Sequence, residues 1–170
     1  MRQIVDTEDP EESSALGTEG LTPDNNAELL VPGDGSPPSV EENHPDPIHA
    51  FKLWQIFLDR VNPLTKIIHV PTLQPYVIEA TTDPSHVPLK YQALLFSIYL
   101  MAIVSLDGAE CYQLLGTTRD QALQKFTSAT RHALLRSGFL RNYDMAIVQT
   151  LLLFLVMLPP TFRCHSLSTR

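Results

Sequence analysis

The sequence predicts an all-α fold, a partial helical domain of about five helices at 48–158 behind a disordered, acidic and proline-rich leader at 1–47. Three observations predict it. Apolar residues recur at steps of three and four, Pro, Gly and Asp punctuate these runs, and no stretch alternates long enough for a strand.

The leader has no aromatic residue and holds prolines at 10, 23, 32, 37, 38, 45 and 47. Twelve acids face one base, Arg2, for a net charge of −11, while 48–170 carries eleven bases and seven acids, or +4. Such a segment cannot bury enough apolar area to offset the entropy of ordering it. Leu16, Leu21, Leu29, Leu30 and Val31 sit among acids, as in acidic activation segments, although a solvated linker is the plainer reading.

Order is expected to start at Pro47, with Asp46 as N-cap and proline in the first helical position. Phe51, Trp54, Leu58 and Val61, widened by Leu53 and Phe57, mark one buried face, and Asn62-Pro63 should stop the helix. A connector covers 62–71. A short helix follows over Thr72–Ala80, with Leu73, Val77 and Ile78 inward. Another runs from about Leu89 to Leu106 and ends at Asp107-Gly108, Gly108 being suited to a left-handed position. Thr117 and Asp120 approximate a capping box for a helix carrying Leu123, Phe126, Thr130 and Leu134, which Gly138 closes. The last helix begins near Asn142 or Asp144 and reaches Leu158, where Pro159-Pro160 stops it; 159–170 reads as an irregular tail.

Residues 93–106 and 145–158 are apolar around nearly the whole helical circumference. Each run is fourteen residues long, whereas a membrane span needs roughly 20, so both are expected to be core helices. A central helix needs neighbours on every side. With about five helices available, the one at 145–158 looks short of cover, and the sequence reads as a fragment of something larger.

Three segments carry a family resemblance: LWQIFLDRVNPLTKIIHVPTL (53–73), ALLFSIYLMAIVSL with ECYQLLG (93–116), and FLRNYDMAIVQTLLLFLVML (139–158). Together they resemble the start of the helical regulatory domain of fungal zinc-binuclear-cluster transcription factors, over roughly 49–158. The resemblance implies an all-α fold, regulation of transcription of a metabolic gene cluster, a nuclear location, and a protein partner, either transcription machinery or a full-length relative. Such factors normally begin with a basic six-cysteine zinc cluster. No cysteine precedes Cys111 in this chain, so no direct nucleic-acid binding is expected of it. A degenerate helical fragment that only binds or dimerises with other proteins is the alternative.

No catalytic, cofactor-binding or metal-ligating residue is assigned. Cys111 and Cys164 are too few for a disulfide framework or a zinc site and suit a reducing compartment. No apolar signal segment opens the chain, and no membrane association is expected. His69, in the Ile68-His69-Val70-Pro71 turn, reads as structural, and Cys164-His165 is isolated in the tail. Cys111, near a loop, reads as a buried or half-buried thiol with no His or helix N-terminus to activate it. The seven glycines form no phosphate-binding loop, and no nucleophile elbow or carboxylate pair appears. Lys125, Arg131, Arg136 and Arg141 give one helix a basic edge, read as solvated surface rather than a nucleic-acid patch.

Overall fold

The computed structural model describes residues 44–141 and 144–157. All of these fall in the larger of the chain's two compact units, Gly33–Arg170. Most of the expected leader, the residues Asn142 and Tyr143, and the tail from Leu158 lie outside the described residues.

Every described element is helical: α1 (Pro47–Ile56), a π-helical turn (Phe57–Val61), α2 (Asn62–Thr65), α3 (Val70–Thr82), a 3₁₀ turn (Pro84–His86), α4 (Leu89–Val104), α5 (Gly108–Leu115), α6 (Arg119–Arg136) and α7 (Met145–Met157). The all-α expectation holds. The eight-residue α5 was not expected.

Helix α4 is the axis of the fold. Every residue from Gln92 to Ile103 is buried, because α6, α7, α1 and α3 all pack against it. The helix is apolar on all sides because it meets protein on all sides. Its most extensive contact is with α6, which presents Ala122, Phe126, Ala129, Thr130, Ala133 and Leu134 inward. Alanines in that stripe let the two backbones approach closely. Tyr99 of α4 lies edge-on to Phe126 at 6.1 Å, and Phe96 lies edge-on to Tyr99 at 6.4 Å.

Buried polar groups mostly answer to the backbone. Ser97, Thr130 and Thr150 donate their hydroxyls to the carbonyls of Leu94, Phe126 and Ala146, each at 2.7 Å. Gln92 donates Nε2 to the carbonyls of Pro84 (2.9 Å) and Val87 (2.7 Å), pinning the preceding loop onto α4. A satisfied polar group inside the core costs little, whereas an orphaned one costs its full desolvation.

Several local expectations are corrected. Asn62-Pro63 does not stop the first helix. The Asn62 N–H bonds to the Phe57 carbonyl, five residues back, and the chain continues as α2. This π turn resets the register so that Pro63 falls in the first turn of a new segment, where its missing N–H leaves no bond unmade. Termination comes at Lys66, which adopts a left-handed conformation (φ 49°).

Helix α3 starts at Val70, two residues earlier than expected, because Pro71 fits its first turn. Phe51 and Ile78, both expected inward, are exposed; the buried faces are Ala50, Leu53, Trp54, Phe57 and Val61, and Leu73, Val77 and Ala80.

Gly108 is not a left-handed terminator. It is the first residue of α5, and Asp107 caps that helix by accepting the Glu110 N–H at 2.7 Å while the Glu110 carboxylate accepts the Asp107 N–H at 3.0 Å. Among the described residues the left-handed glycines are Gly116 (φ 68°) and Gly138 (φ 64°). The capping box of α6 is Thr118 with Gln121, one residue later than expected.

Candidate protein-interaction face

Helix α7 is held from its first turn. Asp144 accepts the Ala146 N–H on Oδ1 at 3.0 Å and the Lys90 ammonium of α4 on Oδ2 at 2.7 Å. The Lys90 bond, then the Ala146 bond, holds the Asp144 carboxyl below its ordinary range. One turn on, Gln149 donates Nε2 to the Ile67 carbonyl at 2.8 Å, tying α7 to the connector between α2 and α3.

These ties fix the rotation of α7 about its own axis. Ala146, Ile147, Thr150, Leu153 and Phe154 are buried, and α7 packs against α4. The Arg131 guanidinium of α6 sits 5.8 Å from the Phe154 ring centroid, closing one edge of that contact by a cation–π interaction. The opposite side is left open by the described residues: Met145, Val148, Leu152, Leu155 and Val156 are 71, 46, 46, 57 and 64% exposed. No charged residue occurs between Met145 and Met157. The five side chains form one contiguous apolar strip. The shortage of cover expected from the sequence is therefore visible, and it is confined to one face.

The sequence could not reveal which face. When only Gln149 and Thr150 interrupt an apolar helix, the 3.6-residue period carries little signal, and the orienting groups, Lys90, Ile67 and Arg131, become neighbours of α7 only in the fold.

The residues singled out as candidate chemistry are dispersed. His69 is exposed at the N-terminus of α3; its Nδ1 and Thr72 Oγ1 share a hydrogen bond of 2.7 Å, and its carbonyl accepts from the Thr72 and Leu73 amides. It is a helix-start residue. Cys111 is fully buried in α5, in line with the buried or half-buried thiol expected, and burial pushes its thiol up, away from the reactive thiolate. Lys125 lies 5.7 Å from the Phe126 ring centroid. Arg136 and Arg141 line an open cleft of about 660 Å³ with Lys90 and Asp144. Arg131 is drawn instead to α7, so the basic edge is not one patch. Cys164 and His165 lie outside the described residues. Among the described residues no group of three or more His, Cys, Asp or Glu is placed to hold a metal ion, and no helix is long and apolar enough to cross a membrane.

One residue escaped the sequence reading. His44, assigned to the leader, packs on Phe96 of α4 with ring centroids 4.5 Å apart, and burial lowers its pKa to about 4. An isolated histidine in an acidic, proline-rich stretch gives no sign of this.

The chain is 46% identical over 170 residues to the pyriculol/pyriculariol biosynthesis cluster transcription factor 1 of Pyricularia oryzae, covering 98% of this chain and 22% of that protein. It is homologous to a segment of fungal cluster transcription factors. A second such factor, the aurofusarin cluster transcription factor of Gibberella zeae, is 39% identical over 88% of this chain and 22% of its own length. A C6 finger domain transcription factor of Aspergillus niger is 28% identical over 92% of this chain. The chain spans about a fifth of the length of the curated relatives it matches. No family model matches the chain, and no solved structure matches it. The match over 98% of this chain takes in the described helices, α7 included.

Proposed function

We propose that this chain is a regulatory segment of a fungal cluster transcription regulator, working in the nucleus through protein contacts made by its helical body. The observation that carries the reading is the 46% identity to a biosynthesis cluster transcription factor over nearly the whole chain. The geometry supports a binding role. The exposed strip of α7 offers apolar area to another protein, while the polar groups around it are spent on holding helices together. On this reading the chain neither catalyses a reaction nor grips DNA, and sequence-specific DNA contact is supplied by a separate basic module. The side chains with chemical potential agree with that division. His69 starts a helix, Cys111 is buried, and the arginines are spread over different faces.

The test is a reporter assay. The full chain is fused to a foreign DNA-binding domain and expressed in a filamentous fungus beside the DNA-binding domain alone. A regulatory segment changes reporter output, in either direction, and substituting Glu in the α7 strip diminishes the change. Identical output from fusion and control at equal protein level rejects the proposal.

A narrower reading is that the chain binds or dimerises with other proteins without regulating transcription itself. The uncovered face of α7 favours it. It predicts association in solution together with a silent reporter.

A further inference from the structure

We infer that the cavity where α3, α4 and α7 meet is a binding site for a small, neutral, ring-shaped molecule that carries a hydroxyl donor. Nothing in the regulatory proposal calls for a ligand, and the two stand or fall separately.

The cavity measures about 200 Å³ and is open on one side. Ile68, Leu73, Leu94 and Ala146, all buried, form its floor. Tyr91 supplies an aromatic wall, held in place by stacking on Tyr76 with ring centroids 3.8 Å apart. An apolar cavity of about 150 Å³ holds a benzene ring. The space here therefore takes one ring with a short substituent and is too small for a fused ring system.

Charge narrows the class. Asp144 lines the cavity, while no Lys or Arg does. An anion would meet that carboxylate with no cation to offset it. A cation would find the carboxylate already engaged, Oδ2 by the Lys90 ammonium at 2.7 Å and Oδ1 by the Ala146 amide at 3.0 Å. A charge taken out of water without a partner is costly, so the site favours a neutral molecule.

The polar rim decides the substituent. Gln149 spends its Nε2 on the Ile67 carbonyl at 2.8 Å, and no donor among the described residues reaches its Oε1. The His69 Nδ1 and the Thr72 hydroxyl are spent on each other at 2.7 Å. What the rim offers is thus an amide oxygen waiting for a donor, above a floor that takes a ring. A ligand held this way touches α3, α4 and α7 together, between the two ties that fix the rotation of α7, and so stabilises their packing.

Proton–nitrogen NMR of the full chain, with benzyl alcohol as probe, tests the site. The amides of Leu73, Leu94, Ala146 and Gln149 should shift together along one saturating curve. Anisole, an isomer of the probe without a hydroxyl, should bind about fivefold more weakly for want of one hydrogen bond. Benzoate and benzylammonium should each bind at least about tenfold more weakly. Thr72→Phe, at an exposed position on the rim, fills the mouth and should abolish the shifts while keeping the parent's helical circular dichroism. Ala146→Leu fills the floor and should do the same; if it fails to fold, Thr72→Phe still decides. Shifts that never saturate, or that centre on Val148, Leu152 and Leu155, overturn the inference. So does equal or tighter binding of anisole or of either charged probe, or an undiminished response in folded Thr72→Phe.

Discussion

Arg60 and Glu110, fifty residues apart, form a two-pronged ion pair: Nη1 to Oε2 at 2.9 Å and Nη2 to Oε1 at 2.6 Å. Arg60 Nη1 also donates to the Ser105 carbonyl at 3.0 Å. The π turn that carries Arg60 is thereby clamped to the α4–α5 corner. Glu110 meanwhile completes the α5 capping box, so one carboxylate serves both a local and a long-range contact.

That double use predicts an acid-sensitive corner. The Arg60 bond, followed by the Asp107 amide, lowers the Glu110 pKa from 4.5 to about 2. A carboxylate depressed by folding contributes stability that is complete above its unfolded pKa and is lost as pH falls through the folded one. Denaturation midpoints of the parent should therefore fall between pH 4.5 and 2, and Glu110→Gln should show a flatter decline there. Urea titrations across that window compare the two. Equal slopes would rule out Glu110 as the source of the acid sensitivity.

His44 predicts a second, higher window. Burial against Phe96 lowers its pKa from 6.5 to about 4, so the folded chain resists a proton that the unfolded chain accepts. Its contribution is full above pH 6.5 and disappears as pH drops towards 4. Proton NMR of the imidazole should show one histidine titrating near 4, and that resonance should vanish in His44→Phe. A His44 signal titrating near 6.5 would mean that the ring is not packed on α4.

The centre of α4 predicts opposite signs for two substitutions one turn apart. Leu95 is fully buried, so Leu95→Ala should lose about 2–5 kcal/mol through lost contacts and a cavity. The Tyr99 hydroxyl is buried without a hydrogen-bond partner among the described residues. Tyr99→Phe removes that orphan and should be neutral or stabilising by about 1 kcal/mol. Thermal melts of the two variants check both values, and a clearly destabilised Tyr99→Phe would reveal a partner for the hydroxyl.

Two glycines separate backbone strain from space. An added Cβ at either Gly108 or Gly116 meets nothing within 4 Å. Only Gly116 has positive φ, so Gly116→Ala should lose about 1 kcal/mol from backbone conformation alone. Gly108 lies in the first turn of α5, where alanine should be neutral or stabilising by up to about 1 kcal/mol. Guanidinium unfolding of the pair reads the difference directly. The reverse order would restore Gly108 as the left-handed terminator expected from the sequence.

Local patterns carried much of the fold. Steps of three and four in 47–61 and 119–136 announced helices, and Asp46-Pro47 placed the start of α1 correctly. They failed where two local signals compete. Asn62-Pro63 is a stop in isolation, yet the π turn absorbs it. Asp107-Gly108 is read equally well as a stop or as the start of α5, and Glu110 decides for the start. The candidate face was half legible. An almost wholly apolar α7 with too few neighbours was apparent, whereas its outward residues were not.

The sequence by itself determined the class of secondary structure, the split between an acidic front and an apolar body, and the existence of two helices too greasy to stand in water. These follow from composition and from contacts a few residues apart. Which of the two helices became the axis, and which face of the other was left bare, only the tertiary structure decided. α4 is enclosed because α1, α3, α6 and α7 converge on it, and α7 is turned by the hold of Lys90 on Asp144 and of Gln149 on Ile67. Partners 54 and 82 residues apart leave no trace in a local pattern, because their energy exists only once the chain has brought them together.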